Sequence, residues 1–358
     1  MAVHFHQLKI NNIRKETADC VSIRFDIPEQ LLSTFAFKEG QNITIKAMVN
    51  GEEIRRSYSL CTAPHENEWR VAVKKVAGGL FSEFANDVLK AGDVLDVLPP
   101  TGKFNAKLQT TTPANYLAIA AGSGITPIMS IIKHTFRSQE DSTFTLVYGN
   151  KSRNSIMFFD ELEDLKNRYI QRFNFINILS KERTDSEIFY GRIDGQKLNS
   201  LERIVPYSTF DEIYLCGPEP LIFTASEVLQ QKGIDKSRIH FELFTTPGQK
   251  QSTVKVATPV EDSGPKSEIT IKLDGRSFDF KLGFNSSSIL DAALQEGADL
   301  PFACKGGVCA TCRAKLVSGK VNMDVNYALE DEEVEQGFIL TCQSHPRTEK
   351  VVVDFDVK

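Results

Sequence analysis

Cys304, Cys309 and Cys312 lie in ACKGGVCATC, a C-x4-C-x2-C spacing, and Cys342 follows in LTCQS. Four thiolates so spaced suit two irons, the plant-type [2Fe–2S] cluster. The loop has to wrap such a cluster closely, and Gly306 and Gly307 allow backbone approaches that a side chain forbids. Backbone amides in the loop can point at the sulfides and tune the potential. A single zinc ion is a poor match, because structural zinc sites favour paired C-x2-4-C knuckles. Four unrelated core cysteines are the other reading, and their crowding argues against it. With no leader-like N-terminus, the chain's 7 cysteines are read as thiols of a reducing, cytoplasmic compartment rather than as disulfides.

Three further stretches suit a flavin and a nicotinamide nucleotide. Arg56-Ser57-Tyr58-Ser59 ends an early strand, where a Tyr58 ring can stack on an isoalloxazine and Arg56 can neutralise a pyrophosphate. AGGLFSEF then sets Gly78 and Gly79 before a helix start formed by Leu80, Phe81 and Ser82; its amides suit a second phosphate contact. Val73 and Lys74, on the strand before it, complete this flavin set. AGSGITP joins a buried strand to a helix, with Gly122, Ser123, Gly124, Thr126 and Pro127 as candidate pyrophosphate contacts. It is G-x-G-x-x-P, not the full dinucleotide fingerprint. An exposed strand with a packed Tyr, an ordinary Gly turn and a solvated basic loop remain the plain alternatives for each stretch taken singly.

At the end of the next strand, where an NAD site places an acid for the ribose 2′-hydroxyl, the chain has Gly149-Asn150-Lys151-Ser152-Arg153. Lys151 and Arg153 there, with the Ser152 hydroxyl, favour a 2′-phosphate, hence NADPH, with NADH the alternative, and Asn150 is a further candidate nucleotide contact. Cys216-Gly217-Pro218 follows another strand at the carboxyl edge. A Cys there is more often a packing residue, but the Gly-Pro turn would let a nicotinamide ring come close.

The elements that must hold these residues are legible in rhythm. Alternating short strands up to about residue 105 predict a small antiparallel barrel, interrupted by a helix over 79–89. Strands alternating with helices then predict a doubly wound parallel sheet. TTPGQKQSTVKVATPVEDSGPKS lacks apolar periodicity and reads as a linker. EITIKLDGRSFDFKL opens the last segment as a hairpin with an Asp-Gly turn. The expected organisation is a flavin barrel over 1–107, a nucleotide domain over 108–246, a linker over 247–266 and a cluster domain over 267–358.

RSYS, AGGLFS, AGSGITP, CGP and the four cysteines together resemble the ferredoxin–NADP⁺ reductase superfamily with a fused C-terminal plant-type ferredoxin domain. SILDAAL, GADLPFACKGGVCATC, the YGN–SIMF stretch and VVVDFDV are similar to the reductase subunits of bacterial phenylacetyl-CoA epoxidases. The resemblance implies FAD held by Arg56, Tyr58 and Ser59, with Ser59 near its reactive edge, and Gly79, Leu80, Phe81 and Ser82 along the pyrophosphate. It implies an acid near the flavin, for which Glu242 is the match, and a C-terminal β-grasp ferredoxin fold. Ser59, Glu242 and Cys216 are thus the candidate reacting-edge residues. The C-terminal aromatic of the simpler reductases is missing, and Phe244 is the candidate cover. The implied activity is electron transfer from NADPH through FAD and a [2Fe–2S] cluster to a partner oxygenase. The reductase of another oxygenase, such as a ring-hydroxylating dioxygenase, or a standalone flavin reductase, are the alternatives.

Composition sets outer bounds. At 41% hydrophobic and 25% charged residues the chain is an ordinary globular sequence, with no stretch approaching a membrane span. A net charge of −5 offers nothing to nucleic acid. Residues 267–358 hold 10 Lys and Arg against 15 Asp and Glu, which accounts for all of that charge. Glu330, Asp331, Glu332, Glu333 and Glu335 concentrate it, either as a solvated helix end or as a docking patch for a basic redox partner.

Overall fold

Alternation of apolar and polar residues commits the first segment to strands, and the computed structural model, which describes residues 4–105, 113–244 and 264–357, contains six of them there. They are β1 (His6–Thr17), β2 (Cys20–Asp26), β3 (Asn42–Val49), β4 (Glu52–Ser59), β5 (Trp69–Lys74) and β6 (Val94–Val97), in the sheet order β4-β3-β6-β1-β2-β5. Just past β4, Leu60 bridges Val71 of β5 and the Cys61 amide donates to the Arg70 carbonyl at 2.9 Å. The two edge strands therefore meet, and the sheet closes into the expected barrel. Ile10, Ile23, Ile43, Ile45, Val71 and Val73 fill it at no more than 1% exposure. α1 (Leu80–Asp87), two residues shorter at its end than the sequence suggests, adds Phe81 and Ala85 to that core.

The second segment alternates β7 (Asn115–Ala121), α2 (Ile125–Ser138), β8 (Thr143–Asn150), α3 (Phe159–Arg168), β9 (Phe173–Leu179), α4 (Gly195–Leu201), β10 (Glu212–Cys216), α5 (Glu219–Gln231) and β11 (Ile239–Glu242). Its strands are all parallel, in the order β11-β10-β7-β8-β9. The chain runs from β7 outward to β9, then returns to lay β10 on the other side of β7. That reversal opens a crevice at the carboxyl ends of β7 and β10, where ligands bind in doubly wound sheets. α4 has too weak an apolar period to be read from sequence; it is started by Asp194, whose carboxylate accepts the Lys197 amide at 2.8 Å.

The last segment begins with β12 (Lys266–Leu273) and β13 (Arg276–Gly283), joined at Asp274-Gly275 with φ of +53° and +69°. This is the left-handed pair of a tight hairpin turn. α6 (Ile289–Gln295), β14 (Arg313–Ser318), β15 (Val321–Met323), α7 (Asp331–Glu335), β16 (Phe338–Leu340), β17 (Ser344–Pro346) and β18 (Lys350–Asp354) follow. Five strands form one mixed sheet, β13-β12-β18-β14-β16, with β18 parallel to β12, and α6 lays Ile289, Leu290 and Ala293 into its core. Barrel, doubly wound sheet and β-grasp module are the three folds expected. By packing, the chain divides into two compact units: Gln7–Ile54 with Tyr58–Leu243, and Phe244–Lys358 with Met1–His6 and Arg55–Ser57. The boundary expected at 107/108, and the linker except for residues 264–266, lie outside the described residues.

Candidate flavin, nucleotide and iron–sulfur sites

Strand pairing brings distant cysteines together. Arg313 of β14 lies opposite Leu340 of β16, so Cys312, just before the one strand, meets Cys342, just after the other. The Cys312 carbonyl accepts both the amide of Thr341, at 3.2 Å, and its hydroxyl, at 3.0 Å. Cys304 and Cys309 instead face each other across a loop in which Lys305, Gly307 and Ala310 take φ of +51°, +77° and +52°. A Cβ on Gly307 would meet the Val325 carbonyl oxygen at 3.1 Å, so both space and backbone favour glycine there. The Gly306 amide donates to Cys304 Sγ at 3.3 Å, and Gln343 Nε2 reaches the Lys305 carbonyl at 2.9 Å and Cys342 Sγ at 3.6 Å.

The thiols form two hydrogen-bonded couples, Cys304 with Cys309 and Cys312 with Cys342. The bond from its partner lowers Cys309 to about 6 and also lowers Cys342, while those bonds, aided by burial, push Cys304 and Cys312 up. Among the described residues, no three His, Cys, Asp or Glu side chains meet where a single metal ion could be held. Two couples of soft sulfur donors, with loop amides turned toward them, are the donor set for two irons with two thiolates each. The residues fit a [2Fe–2S] cluster.

At the end of β4, Tyr58 is half-buried and backed by the Phe81 ring at 5.4 Å, which is backed in turn by Phe84 at 6.4 Å. Phe81 is only 2% exposed. Its ring belongs to the core, and its backbone amide, with those of Leu80 and Ser82 at the start of α1, is what it can offer a pyrophosphate. The Ser82 hydroxyl is engaged inside the loop, accepting the Val76 amide at 3.0 Å and donating to the Gly79 carbonyl at 2.9 Å. The Gly78 amide donates to the Glu83 carboxylate at 2.9 Å. Val73 is a core residue, Lys74 pairs with Asp19 at 3.7 Å, and the exposed Arg56 returns one guanidinium nitrogen to the Arg55 carbonyl at 2.8 Å. Phe244 is exposed.

Ser59 is buried, and its Oγ donates to the Glu242 carboxylate at 3.2 Å across 183 positions of sequence. Cys216 stands opposite Glu242 in the β10–β11 register. The three residues expected at the reacting edge are therefore gathered by barrel and sheet. Cys216 is fully buried, and that burial, followed by the Glu242 charge, holds its thiol well above its ordinary value. It is a neutral packing thiol beside the site. A stackable aromatic face, helix-start amides and a part-buried hydroxyl–carboxylate pair fit a flavin dinucleotide.

In the turn after β7, Gly122 has φ +56° and would find no atom within 4 Å of an added Cβ. Its carbonyl accepts the Tyr148 hydroxyl at 2.8 Å, while Thr126 Oγ1 donates to the Ser123 carbonyl at 3.0 Å and Pro127 is buried in the first turn of α2. Gly124 is buried, and Pro218 immediately precedes α5. Asn150, at the end of β8, is 8% exposed with neither amide atom hydrogen-bonded. A buried orphan amide at the carboxyl edge suits a nucleotide hydroxyl. Lys151 and Arg153 are exposed, with the Arg153 guanidinium 4.7 Å over the Phe159 ring. The loop after β9 lies alongside: the Lys181 amide donates to the Lys151 carbonyl at 2.8 Å, Glu182 accepts the Arg153 amide at 2.8 Å, and Arg183 lies 5.7 Å over Tyr190. Sequence reasoning missed Lys181, Glu182 and Arg183 by reading one loop at a time, although adjacent parallel strands bring their following loops together.

Comparison with known proteins agrees with this construction. Residues 7–106 match the oxidoreductase FAD-binding domain, 118–227 the oxidoreductase NAD-binding domain and 271–347 the 2Fe-2S iron-sulfur cluster binding domain. The chain is 44% identical to one of the polypeptides of the 1,2-phenylacetyl-CoA epoxidase of Escherichia coli (strain K12), over 99% of this chain and 98% of that one. It is 31% identical to the ferredoxin reductase component of 3-ketosteroid-9-alpha-monooxygenase from Rhodococcus rhodochrous, over 97% and 96% of the two chains. The solved structure of phthalate dioxygenase reductase shares the fold, with a TM-score of 0.59 at 24% identity and 98% coverage of each chain.

Proposed function

Because the chain belongs to the family of oxygenase reductases that unite FAD-binding, NAD-binding and 2Fe-2S domains in one polypeptide, and is thus an NAD(P)H-dependent flavin and iron–sulfur oxidoreductase, we propose that it carries electrons from NADPH to the oxygenase of a phenylacetyl-CoA epoxidase. The observation that carries the electron-transfer reading is the two couples of thiols, Cys304 with Cys309 and Cys312 with Cys342. When bound, FAD and the cluster supply the change from paired to single electrons. The chain's own residues bind and orient: Tyr58 offers the ring face, Leu80–Ser82 the amides, and Ser59 with Glu242 a hydrogen-bonded pair at the reacting edge. The 44% identity to an epoxidase polypeptide along its full length supports that oxygenase as partner. Reconstitution with the epoxidase oxygenase subunits tests it. NADPH-dependent product should form at least about tenfold faster than when a ring-hydroxylating dioxygenase is supplied, and equal rates would remove the assignment.

Docking is assigned to the acidic face of the cluster domain, in a cytoplasmic setting. Glu330, Asp331, Glu332 and Glu335 are exposed, whereas Glu333 is buried against Arg313 at 2.9 Å and is not part of the face. Among the described residues no helix is long and apolar enough to cross a membrane.

The choice of NADPH rests on Lys151 and Arg153, now joined by Lys181 and Arg183 on the neighbouring loop. Of the two acids in that loop, Glu182 accepts the Arg153 amide and Asp185 is exposed. Replacing Lys151 and Arg153 together by alanine should lower kcat/KM for NADPH by about 10- to 100-fold, at about 1.5 kcal/mol or more for contacts to a charged group. The value for NADH should stay within about threefold. Parallel losses for both nucleotides would show that the two cations do not read a 2′-phosphate.

A further inference from the structure

Gly122 and Gly124 are separated by one residue, yet their missing side chains face different things. A Cβ on Gly122 would point into open space. A Cβ on Gly124 would lie 2.1 Å from the Cys216 carbonyl oxygen, 2.4 Å from its carbon and 2.7 Å from the Gly217 nitrogen. These are backbone atoms at the end of β10, and no rotamer change can move them. The fit is reciprocal, since a Cβ on Gly217 would meet the Ala121 nitrogen at 3.2 Å and its Cβ at 3.4 Å. Ala120 stands opposite Cys216 in the β7–β10 register, so the two turns leave the sheet side by side. Gly124 has φ −62° and ψ −9°, which any residue adopts. Glycine is required there for space alone.

We infer that Gly124 is a positioning residue for the nicotinamide end of the nucleotide: it seats the Cys216–Pro218 turn, while Gly122 faces the phosphates. The inference rests on the reading of this crevice as the NADPH site. It divides a motif usually taken as one phosphate cradle into two jobs, one toward the ligand and one toward the neighbouring strand. An alanine at 124 has to push the Cys216–Gly217 peptide away by roughly 1 Å to restore an ordinary carbon–oxygen contact. A misplacement of that size at the reacting end is worth about a hundredfold in rate. The adenosine end, at the loops after β8 and β9, is left in place.

The test uses the full-length, flavin- and cluster-loaded protein. Hydride transfer is read as flavin bleaching in a single turnover at saturating NADPH, and the adenosine half by the Kd for 2′,5′-ADP, which lacks nicotinamide. Gly124→Ala should slow hydride transfer about a hundredfold while the 2′,5′-ADP Kd changes less than about twofold. Gly217→Ala, which is strained at φ +159° and needs a few tenths of an ångström of adjustment against Ala121 and Leu221, should slow it about three- to tenfold with the same unchanged Kd. Unchanged hydride transfer in Gly124→Ala, or a matching loss of 2′,5′-ADP affinity, would overturn the inference. If Gly124→Ala does not fold, Gly217→Ala decides by the same two readouts. Unsubstituted protein that neither accepts hydride from NADPH nor binds 2′,5′-ADP would instead remove the nucleotide reading beneath it.

Discussion

With serine in place of Cys309, NADPH-driven reduction of ferricyanide should remain within about twofold, while electron delivery to the oxygenase falls by at least about a hundredfold. Ferricyanide can draw electrons at the flavin, whereas the proposed route to the oxygenase passes through the cluster. Cys309 faces Cys304 across the loop and has to serve as a thiolate to hold iron. A hydroxyl at that position stays protonated and binds iron weakly. Cys304 would then lose its companion ligand. The [2Fe–2S] absorbance should disappear and the flavin absorbance stay. The order of carriers fails if both activities drop together in a variant that still holds FAD.

The second large effect is expected at Ser59. Ser59→Ala removes the hydroxyl that reaches Glu242 at 3.2 Å and should slow single-turnover hydride transfer by about a hundredfold, the scale of a positioned proton-handling group. Flavin content should be unchanged, since Tyr58 and the α1 amides are untouched. Glu242→Gln keeps an acceptor for the Ser59 hydroxyl and loses only the charge, so it should slow the step by about tenfold. The difference separates a polar group acting at the reacting edge from a tether. Were Ser59→Ala to lose FAD while the remaining holoenzyme transferred hydride normally, the hydroxyl would be structural.

What could be read from sequence shares one property: it is local. C-x4-C-x2-C, the alternation of β1 to β6 and the Asp274-Gly275 turn each declare themselves within a few residues. Barrel closure at Leu60 and Val71 does not, because it joins edges that only the curl of the whole sheet brings together. The sequence placed Phe81 along a pyrophosphate; the structure sends its ring into the core and leaves the amide. Gly124 looked like a second phosphate glycine because spacing reveals that a side chain is missing, not which neighbour needs the room. The loops that carry the cations at 151, 153, 181 and 183 come together only because β8 and β9 are adjacent and parallel. In each case the destination of a side chain was decided by tertiary packing, which a linear motif does not encode.

The placement of β18 in the middle of its sheet, between β12 and β14, makes the last strand the link between the two halves of this module. The strand at Lys350–Asp354, contributed last in the sequence, fills the gap between elements contributed by residues 266–346. Without it β12 and β14 lack their shared neighbour, and the scaffold beneath Cys312 and Cys342 is incomplete. A chain truncated before residue 350 should therefore hold Cys312 and Cys342 less firmly, which a fall in bound iron on truncation would show.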